Sequence, residues 1–424
     1  MRKAVNKEDV AMIQPKLYEI IPGIQNYSWG GTEYIPSLLH IDNKEEKPYA
    51  ELWIGVHPVA PAKVVVDDHS VLLHDFIKNN RKTLLGSAGM ERVGTTLPYL
   101  FKVLDAQKML SVQVHPSKQQ AAEGFERENQ ANIPLTAKNR NYRDNNHKPE
   151  IHVALTEFWM LHGFRPLEEI DCWLYKIAEF NALLKTWEGG NLSLLYETIM
   201  TMPQDQTDSI LQPLVKRLMP LYRSQQLDKD EPHFWAARAA DLFPLPGNHL
   251  DRGIFSIYLF NLLHLHPGQG TFQGAGVPHA YLQGTNVELM ANSDNVLRGG
   301  LTPKHIDVKE LLKIIKIDPT LPQILEGNKT ADHETLYPAP VRDFKLSRLL
   351  LKTGDNYISQ NQHGLECMVL TEGSIRAKDD YQEMSLNRGK VFMAPANVVY
   401  RLEAKTRCIL FKASASGDEN TEKP

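Results

Sequence analysis

The chain lacks several features that would narrow its class at once. Its 424 residues contain only three cysteines, Cys172, Cys367 and Cys408, without CxxC spacing. Sparse, distant thiols exclude a disulfide framework and are typical of a reducing compartment. No run approaches the ~18 uninterrupted apolar residues of a membrane span, and residues 1–16 mix charges without the apolar core of a signal peptide. We therefore expect a soluble cytoplasmic protein with no membrane partner.

A surplus of charge of either sign is also missing. Lys and Arg number 47 against 51 Asp and Glu, which gives a formal net charge of −4. A nucleic-acid-binding protein usually carries a basic excess on one face, so we expect no nucleic acid as partner. Any anion site must instead be a local cluster of cations. The hydrophobic content of 42% is ordinary for a globular protein, and the length suggests several domains.

Most of the chain has the alternating pattern of short β-strands. Residues 99–104 (YLFKVL), 110–115 (LSVQVH) and 150–155 (EIHVAL) are examples, and Pro, Gly and Asn separate such runs. This texture is typical of a β-sandwich or barrel. It returns as a predicted strand beginning at residue 255, in the run FSIYLF, and again from about residue 336 to the end.

A central segment has a different period. At Ile170, Trp173, Leu174 and Ile177 the apolar residues recur every three or four positions. That spacing predicts one face of an amphipathic helix, and residues 167–246 contain several such stretches. A further short helix is predicted over residues 308–315.

We predict a mainly β fold with a helical insertion, in which two β-sandwiches are joined to an α-helical domain. The first sandwich combines residues 1–165 and 250–330 and carries the candidate metal site. The helical insertion is residues 166–249, and the second sandwich is residues 331–414, without metal ligands. Residues 415–424 are polar and charged, and we expect a disordered tail there.

The two β parts also share a weak local sequence similarity. Residues 386–389 (LNRG) and 392–396 (FMAPA) resemble residues 265–268 (LHPG) and 272–276 (FQGAG). The earlier copy continues to His279, whereas the later one has no histidine at that place. The second sandwich is therefore expected to pack and shape the cleft rather than to hold a metal.

Three segments carry residues that could do chemistry. On a strand, Ser111, Gln113 and His115 share one face, because successive side chains alternate. Taken alone, a histidine there is more commonly an ordinary surface residue. In the polar run 142–150, Lys148 and Glu150 face the same way, and they could bind an anion and a metal or be part of a solvated loop.

The third segment, residues 278–304, is unusually polar for a stretch that begins as a strand. His279 is a candidate ligand, and Arg298 and Lys304 could hold a phosphate. The pair His264 and His266 has HxH spacing and competes with His279 as a ligand source. We favour an ordinary strand pair there, because it precedes the Pro-Gly turn that leads to His279.

Four of these residues form a chemically coherent set. Gln113, His115, Glu150 and His279 supply an amide oxygen, two imidazoles and a carboxylate. Such donors suit Zn²⁺ with one position open for water or substrate. The separations in sequence are large, so the spacing alone is a weak signal.

At these residues the chain resembles the type I mannose-6-phosphate isomerases. Residues 142–150 match that family's YxDxNHKPE motif at every specified position. Residues 279–304 resemble its longer motif, HAYLxGxxVExMAxSDNxLRAGxTPK, and depart from it at Gly299, where the family usually has Ala. The resemblance covers about residues 17–318 and is weak through the helical segment.

The resemblance implies a zinc-dependent aldose–ketose isomerase, which interconverts mannose 6-phosphate and fructose 6-phosphate through a cis-enediol. It also implies a cupin-type jelly roll around one zinc per chain, a helical domain and a C-terminal jelly roll. A small-molecule sugar phosphate is the implied partner, and we expect a monomer. The implied zinc ligands are Gln113, His115, Glu150 and His279.

The implied cleft contains Lys148, Glu288, Asp294 and Arg298. One of the first three would move the proton, although Asp294 could be a turn residue and Glu288 a partner of a ligand histidine. His147 and Asp294 could assist ring opening, and Arg298 could stabilise the enediolate. The candidates for phosphate binding are Arg298, Lys102, Lys304 and Ser111.

Two other classes remain as alternatives. A non-catalytic metal cupin could bind a sugar phosphate as a sensor, although Lys148 and Glu288 would then have little purpose. An iron cupin dioxygenase would prefer a facial triad with more open positions, and Gln113 would be an unusual ligand there.

Overall fold

The computed structural model describes residues 13–359 and 364–415. The predicted disordered tail lies outside the described residues from residue 416 onward. Within the described part, the helices are all too short or too polar to cross a bilayer.

The described residues form 23 strands and 12 α-helices. The strands before the helical segment are β1 (Tyr18–Ile21), β2 (Gly23–Gln25), β3 (Glu51–Ile54), β4 (Lys63–Val66), β5 (His69–Leu72), β6 (Tyr99–Ala106), β7 (Val112–Val114), β8 (Glu150–Ala154) and β9 (Phe158–Phe164). Those after it are β10 (Phe260–Leu265), β11 (Gly270–Gln273), β12 (His279–Ala291), β13 (Leu297–Gly300), β14 (Asn328–Ala331), β15 (Glu334–Tyr337), β16 (Lys345–Leu351), β17 (Asn356–Ile358), β18 (Glu366–Glu372), β19 (Ser374–Lys378), β20 (Glu383–Asn387), β21 (Val391–Ala394), β22 (Arg401–Ala404) and β23 (Cys408–Ser414).

The helices are α1 (Tyr34–Leu38), α2 (Leu73–Asn79), α3 (Arg81–Leu85), α4 (Ser87–Val93), α5 (Lys118–Gln130), α6 (Leu167–Lys176), α7 (Asn181–Trp187), α8 (Leu192–Thr201), α9 (Gln204–Arg223), α10 (Pro232–Leu242), α11 (Gly253–Leu259) and α12 (Val308–Ile314). Helices α6 to α10 fall in the segment predicted to be helical, and α12 confirms the short helix predicted after residue 303. Two 3₁₀ turns, Ala178–Phe180 and Pro246–Asn248, complete the helical segment.

Three sheets contain these strands. A nine-stranded sheet has the order β14-β15-β16-β23-β18-β21-β1-β4-β5, and a four-stranded sheet has the order β17-β22-β19-β20. The ten-stranded sheet follows β10-β9-β12-β6-β3-β2, with β7, β8, β11 and β13 attached. A mainly β architecture with helices, as the sequence predicts, is therefore confirmed.

The ten-stranded sheet has an apolar face and an opposite, polar face, on which charged residues lie among apolar ones such as Leu100 and Leu104. Val103, Val287 and Leu289 belong to a core shared with Val369 and Val391 of the nine-stranded sheet. Because side chains alternate along a strand, their neighbours point to the opposite face. That opposite face carries, strand by strand, Glu51, Trp53, Lys102, Glu288, His152 and Glu150. The sheet therefore presents a row of charged side chains away from the shared core.

Strand β12 connects the two halves of this sheet. Its first part pairs with β9 and β7, and its second part pairs with β6 and β8. Between these two parts, the strand has a register shift between Tyr281 and Gln283, followed by Gly284 at φ 123°. A Cβ at Gly284 would lie 2.5 Å from the carbonyl oxygen of Glu157, so only glycine permits this close approach. One strand thus carries both His279 and Glu288.

Hydrogen bonding crosses the domain boundaries predicted above. β1 pairs with β21 on one side and with β4 on the other, so three N-terminal strands lie in the sheet that contains the C-terminal strands. A separate core between the nine-stranded and four-stranded sheets includes Met368, Phe392 and Leu402. The domain division itself stays a prediction.

One sequence prediction is wrong in detail, and five helices were not predicted. The strand predicted to begin at residue 255 is helix α11 up to Leu259, and strand β10 begins only at Phe260. Every residue of α11 is buried, and a fully buried apolar run has no periodicity that separates helix from strand. The first β part also contains α1 to α5. The longest of these, α5, has a capping box between Ser117 and Gln120 that marks its start.

Candidate metal centre

Three of the four predicted ligands converge at one end of the ten-stranded sheet. The Nε2 atoms of His115 and His279 lie 3.4 Å and 3.2 Å from the two carboxylate oxygens of Glu150. All three side chains are buried, and their donor atoms lie within 4.8 Å of one another. Two imidazoles and one carboxylate at these separations match the donor set of a zinc site.

The hydrogen bonds of both histidines leave their Nε2 atoms available to a metal. Nδ1 of His115 is 2.8 Å from the carbonyl oxygen of Asn295, and Nδ1 of His279 is 3.1 Å from that of Val277. A carbonyl accepts only from an N–H, so each Nδ1 carries the proton and each Nε2 presents a lone pair. Nε2 of His115 is buried and has no hydrogen-bond partner. A metal ion would satisfy that atom.

Nearby charges favour an ionised Glu150, and burial favours a neutral His115. Although burial opposes ionisation, Lys148 and His115 hold the pKa of Glu150 well below its usual range. Burial lowers the pKa of His115. A carboxylate and neutral imidazoles are the protonation states that bind metal.

Gln113 and Arg298 approach the centre through strand pairing. Gln113 on β7 lies opposite both His279 on β12 and Arg298 on β13. Directly opposed residues share a face, so Gln113 and Arg298 lie on the same side as His279. Ser111 lies just before β7 and two residues before Gln113, so its side chain is expected on the same face as that of Gln113.

Lys148 lies beside the ligand carboxylate, whereas His147 contacts another part of the chain. Nζ of Lys148 is 3.2 Å from Oε1 of Glu150, and its side chain is only 11% exposed. Nε2 of His147 lies 3.0 Å from Oδ2 of Asp343, which precedes β16. Lys148 therefore belongs to the immediate surroundings of the centre.

Lys102 and Glu288 form a buried ion pair on the polar face of the sheet. Nζ of Lys102 is 3.0 Å from Oε1 of Glu288 and 3.6 Å from Oε1 of Glu51. The hydroxyl of Tyr281 donates to the other oxygen of Glu288 at 2.8 Å, and Nε1 of Trp53 donates to Glu51 at 2.7 Å. Burial opposes the charge, yet the two carboxylates raise the pKa of Lys102 above its ordinary value. Lys102 is thus already neutralised by protein groups.

Asp294 lies at the rim of the site. Its Oδ2 is 3.2 Å from Nε2 of His57, and its side chain is 43% exposed. The hydrogen bond with His57 lowers the pKa of Asp294. The Asp294 backbone N–H donates to Oδ2 of Asp144 at 2.7 Å.

Two distant segments of the sequence are held together by the amide of Asn295. Its Oδ1 accepts from the N–H of Arg143 at 2.7 Å, and its Nδ2 donates to the carbonyls of Asp144 and Asn146 at 2.8 Å and 2.9 Å. Since the carbonyl of Asn295 also accepts from His115, one buried residue connects the 142–150 segment to a ligand histidine.

Three cations cluster next to the centre. Burial lowers the pKa of Arg298, and the nearby charge of Arg143 lowers it further. Burial, Arg298 and Arg143 likewise lower the pKa of Lys304. The charge of Arg143 acts on both Arg298 and Lys304, so the three cations lie near one another, and this arrangement suits an anionic group of a ligand.

Sequence reasoning missed Glu51, His57, Arg143 and Tyr281. Arg143 occupies an unspecified position of the 142–150 motif, so no pattern singled it out. For Glu51 a signal was available, because a carboxylate within the otherwise apolar run 49–53 (YAELW) requires a partner if that run is buried. The competing pair, His264 and His266, lies elsewhere and contacts Glu157.

The fold and the site together define a class: a mainly β protein with a buried cluster of metal-binding side chains and cations near it. Comparison with known proteins narrows this class. Residues 17–167 match the family described as phosphomannose isomerase type I, catalytic domain. The mannose-6-phosphate isomerase of Salmonella typhimurium is 37% identical over 380 residues, which cover 88% of this chain and 93% of that protein.

More distant relatives and solved structures agree. The mannose-6-phosphate isomerase of Macaca fascicularis is 32% identical over 437 residues, covering 95% of this chain and 99% of that protein. The crystal structure of the Salmonella typhimurium enzyme bound to fructose 6-phosphate and zinc has a TM-score of 0.84 at 34% identity, and it covers 94% of this chain and 99% of that one. The chain belongs to the type I phosphomannose isomerase family.

Proposed function

We propose that this protein is a zinc-dependent isomerase that interconverts mannose 6-phosphate and fructose 6-phosphate through a cis-enediol. The observation that carries the proposal is the buried cluster of His115, Glu150 and His279, with one Nε2 atom left without a partner. Relatives named mannose-6-phosphate isomerase, and a solved relative that binds zinc and fructose 6-phosphate, support the substrate.

We assign the zinc to Gln113, His115, Glu150 and His279, one ion per chain. When bound, zinc with one anionic and three neutral ligands keeps positive charge and supplies polarisation of the sugar carbonyl. The protein's own part is to hold the ligands: the carbonyls of Asn295 and Val277 fix both imidazoles through Nδ1.

Lys148 is our choice for the group that moves the proton between C2 and C1. It lies beside Glu150, at the centre where the carbonyl must bind. Glu288 is a weaker choice, because both of its oxygens already accept hydrogen bonds from Lys102 and Tyr281. A carboxylate held in that way is a poor base. Asp294, at the rim and paired with His57, fits ring opening better, and we assign His147 to the same step.

The charge of the substrate is matched by Arg298, Arg143 and Lys304. Arg298 shares a face with Gln113, which suits stabilisation of the enediolate, an effect worth on the order of 3 kcal/mol for one well-placed donor. Lys304 and Arg143 are our candidates for the phosphate. Lys102 is a poor phosphate ligand because Glu288 and Glu51 neutralise it. Ser111, on the strand face that leads to Gln113, remains a candidate for a hydroxyl or phosphate contact.

We extend the proposal to architecture. The ten-stranded sheet would form a cupin-type jelly roll around the metal. The nine-stranded and four-stranded sheets would form a second jelly roll. The predicted division into residues 1–165 with 250–330, 166–249 and 331–414 is kept as a functional division. We also propose that the protein acts as a monomer.

A coupled assay for fructose 6-phosphate formed from mannose 6-phosphate tests the proposal. Activity should disappear on chelation and return when zinc is added. Lys148→Met should abolish turnover, while Lys63→Met, at an exposed lysine of β4, should leave it unchanged. A folded, zinc-loaded protein without activity would overturn the proposal, and binding of mannose 6-phosphate to that sample would identify a sensor instead. Iron with oxygen consumption would indicate a dioxygenase.

A further inference from the structure

A second group of metal-binding side chains lies outside the candidate centre. Oε2 of Glu157 is 2.6 Å from Nε2 of His264 and 2.9 Å from Nδ1 of His266. The donor atoms of these three residues lie within 4.8 Å of one another. Glu157 and His266 are exposed and His264 is half-buried, so the group is open to solvent.

His264 is oriented by three contacts. Its Nδ1 lies 3.0 Å from Oδ1 of Asp230, and its Nε2 faces Glu157. The ring of Trp159 stacks on it at 4.2 Å with an interplanar angle of 16°, and Nε1 of Trp159 donates to the same oxygen of Asp230. A histidine whose second nitrogen donates to a carboxylate is the usual form of a metal ligand.

The two carboxylates that flank His264 are balanced either by an imidazolium ring or by a neutral ring with a metal ion at Nε2. Both ring nitrogens of His264 face carboxylates, and Glu157 must also serve His266. A neutral His264 has only one N–H and cannot donate to both carboxylates. A divalent ion at Nε2 would take the place of a proton there, while Nδ1–H keeps its hydrogen bond to Asp230. Ligand atoms around tetrahedral zinc are roughly 3.3 Å apart, given metal–ligand distances of about 2.0–2.1 Å. The exposed side chains of Glu157 and His266 can open by that small amount.

We propose that Glu157, His264 and His266 form a second site for a divalent transition metal such as Zn²⁺, with Asp230 as the carboxylate that orients His264. The site is distinct from the candidate centre. His162 lies opposite His279, and Glu157 precedes His162 by five residues, which places the two sites roughly 17 Å apart along β9.

The position of the second site indicates what the metal would do. Glu157 lies between β8 and β9, and His264 and His266 lie at the end of β10, whereas Asp230 lies in the connection between α9 and α10. A bound ion would therefore join the end of β10 to the β8–β9 connection and hold the His264 ring in its contact with Asp230 of the helical segment. It would thereby stabilise the protein against unfolding. This inference does not depend on the proposed isomerase activity.

The test is a calorimetric titration of Zn²⁺ into protein that already holds its first zinc, together with zinc content per chain after dialysis. We expect one additional zinc in the unaltered protein and a higher melting temperature when it binds. His266→Gln should weaken the second event at least ~10-fold, and Asp230→Asn should weaken it ~10–100-fold by releasing the His264 ring. The first zinc should remain in both variants.

His69→Gln, at an exposed histidine of β5, is the matched control and should bind both ions. Because His266 is 62% exposed, its replacement should not disturb folding, and circular dichroism checks this. Absence of a second zinc in the unaltered protein would overturn the proposal. A second zinc bound equally well by His266→Gln and His264→Gln would also overturn it, because the ion would then be elsewhere.

Discussion

Nζ of Lys102 lies 3.0 Å from Oε1 of Glu288, and the two residues are directly opposed on β6 and β12. Both side chains are less than a tenth exposed. Glu51 adds a second carboxylate at 3.6 Å, so one ammonium serves two buried acids. Removal of one member of a buried ion pair leaves an uncompensated charge, and this usually costs far more than the pair contributes.

Lys102→Met should therefore destabilise the protein by roughly 3–5 kcal/mol, visible as a large fall in the melting temperature. Lys108→Met, at an exposed lysine two residues past β6, is the control and should change little. Adding Glu288→Gln to Lys102→Met removes one of the stranded charges and should restore part of the loss. Equal melting temperatures for Lys102→Met and Lys108→Met would show that the ion pair carries no stability.

Much of the metal centre can be predicted from the sequence, because its parts lie in three short segments that carry polar residues: 110–115, 142–150 and 278–304. His115 directly follows β7, and Glu150 and His279 begin β8 and β12, so each is a buried polar residue at the end of a strand, where packing alone does not require it. The residues that surround the ligands are harder to predict. Glu51 and Glu288 meet only through Lys102, 186 residues away from Glu288 in sequence, and a long-range strand register cannot be read from local pattern.

Prediction of the fold from local sequence pattern has the same limit. The alternating strands and the amphipathic helices α6 and α9 have clear periods, and both are predicted. Helix α11 is buried on all sides, so its apolar run has no period to read. The pairing of β1 with β21 joins residues more than 350 positions apart, and nothing in either short strand specifies that partner.

Asn295→Ala should weaken the metal centre without touching a ligand. The variant loses the amide that holds Arg143, Asp144 and Asn146, and the backbone carbonyl that orients His115 becomes free to move. Loss of a partner that orients a ligand costs about 10–100-fold in metal affinity. Competition with a chelator measures this directly. Asn145→Ala, at an exposed neighbour, should keep full affinity, and a normal affinity for Asn295→Ala would contradict the role assigned to Asn295.

Two glycines should differ in how well they tolerate alanine. At Gly253, which begins α11, a Cβ would lie 2.5 Å from the backbone nitrogen of Leu301 and 2.8 Å from Cα of Gly300. Backbone cannot move aside easily, so Gly253→Ala should cost about 1–3 kcal/mol, although alanine is normally the better helix former. A Cβ added at Gly299 would instead lie nearest to a side-chain methyl group of Val112, at 2.9 Å.

Gly299→Ala, which introduces the residue usual in the family, should change stability by less than about 1 kcal/mol. The reduced freedom of the unfolded chain contributes about 0.4–1 kcal/mol, and this offsets the small clash with Val112. Thermal melts of both variants, recorded side by side, give the comparison. A loss at Gly299 as large as that at Gly253 would mean that the surroundings of β13 are too rigid to accept a methyl group.

Asp105 should make stability depend on pH. Its side chain is 7% exposed and accepts a hydrogen bond from the hydroxyl of Thr285 at 2.9 Å. Burial raises the pKa of Asp105 from 3.8 to about 6, against the effect of that hydrogen bond, and Glu33 adds to the rise. Because the folded pKa exceeds the unfolded one, the stability gained by protonation is complete below about pH 4 and is lost as the pH rises through about 6.

Asp105→Asn should therefore raise the melting temperature at pH 8, by an amount that corresponds to at most about 3 kcal/mol, since the amide avoids a buried charge. The gain should shrink as the pH falls through 6 and should vanish near pH 4. Asp241→Asn, at an exposed aspartate of α10, should give no such trend. Melting curves of zinc-saturated protein between these pH values make the measurement, and a gain that does not vary with pH would mean that Asp105 is not held with a raised pKa in the folded state.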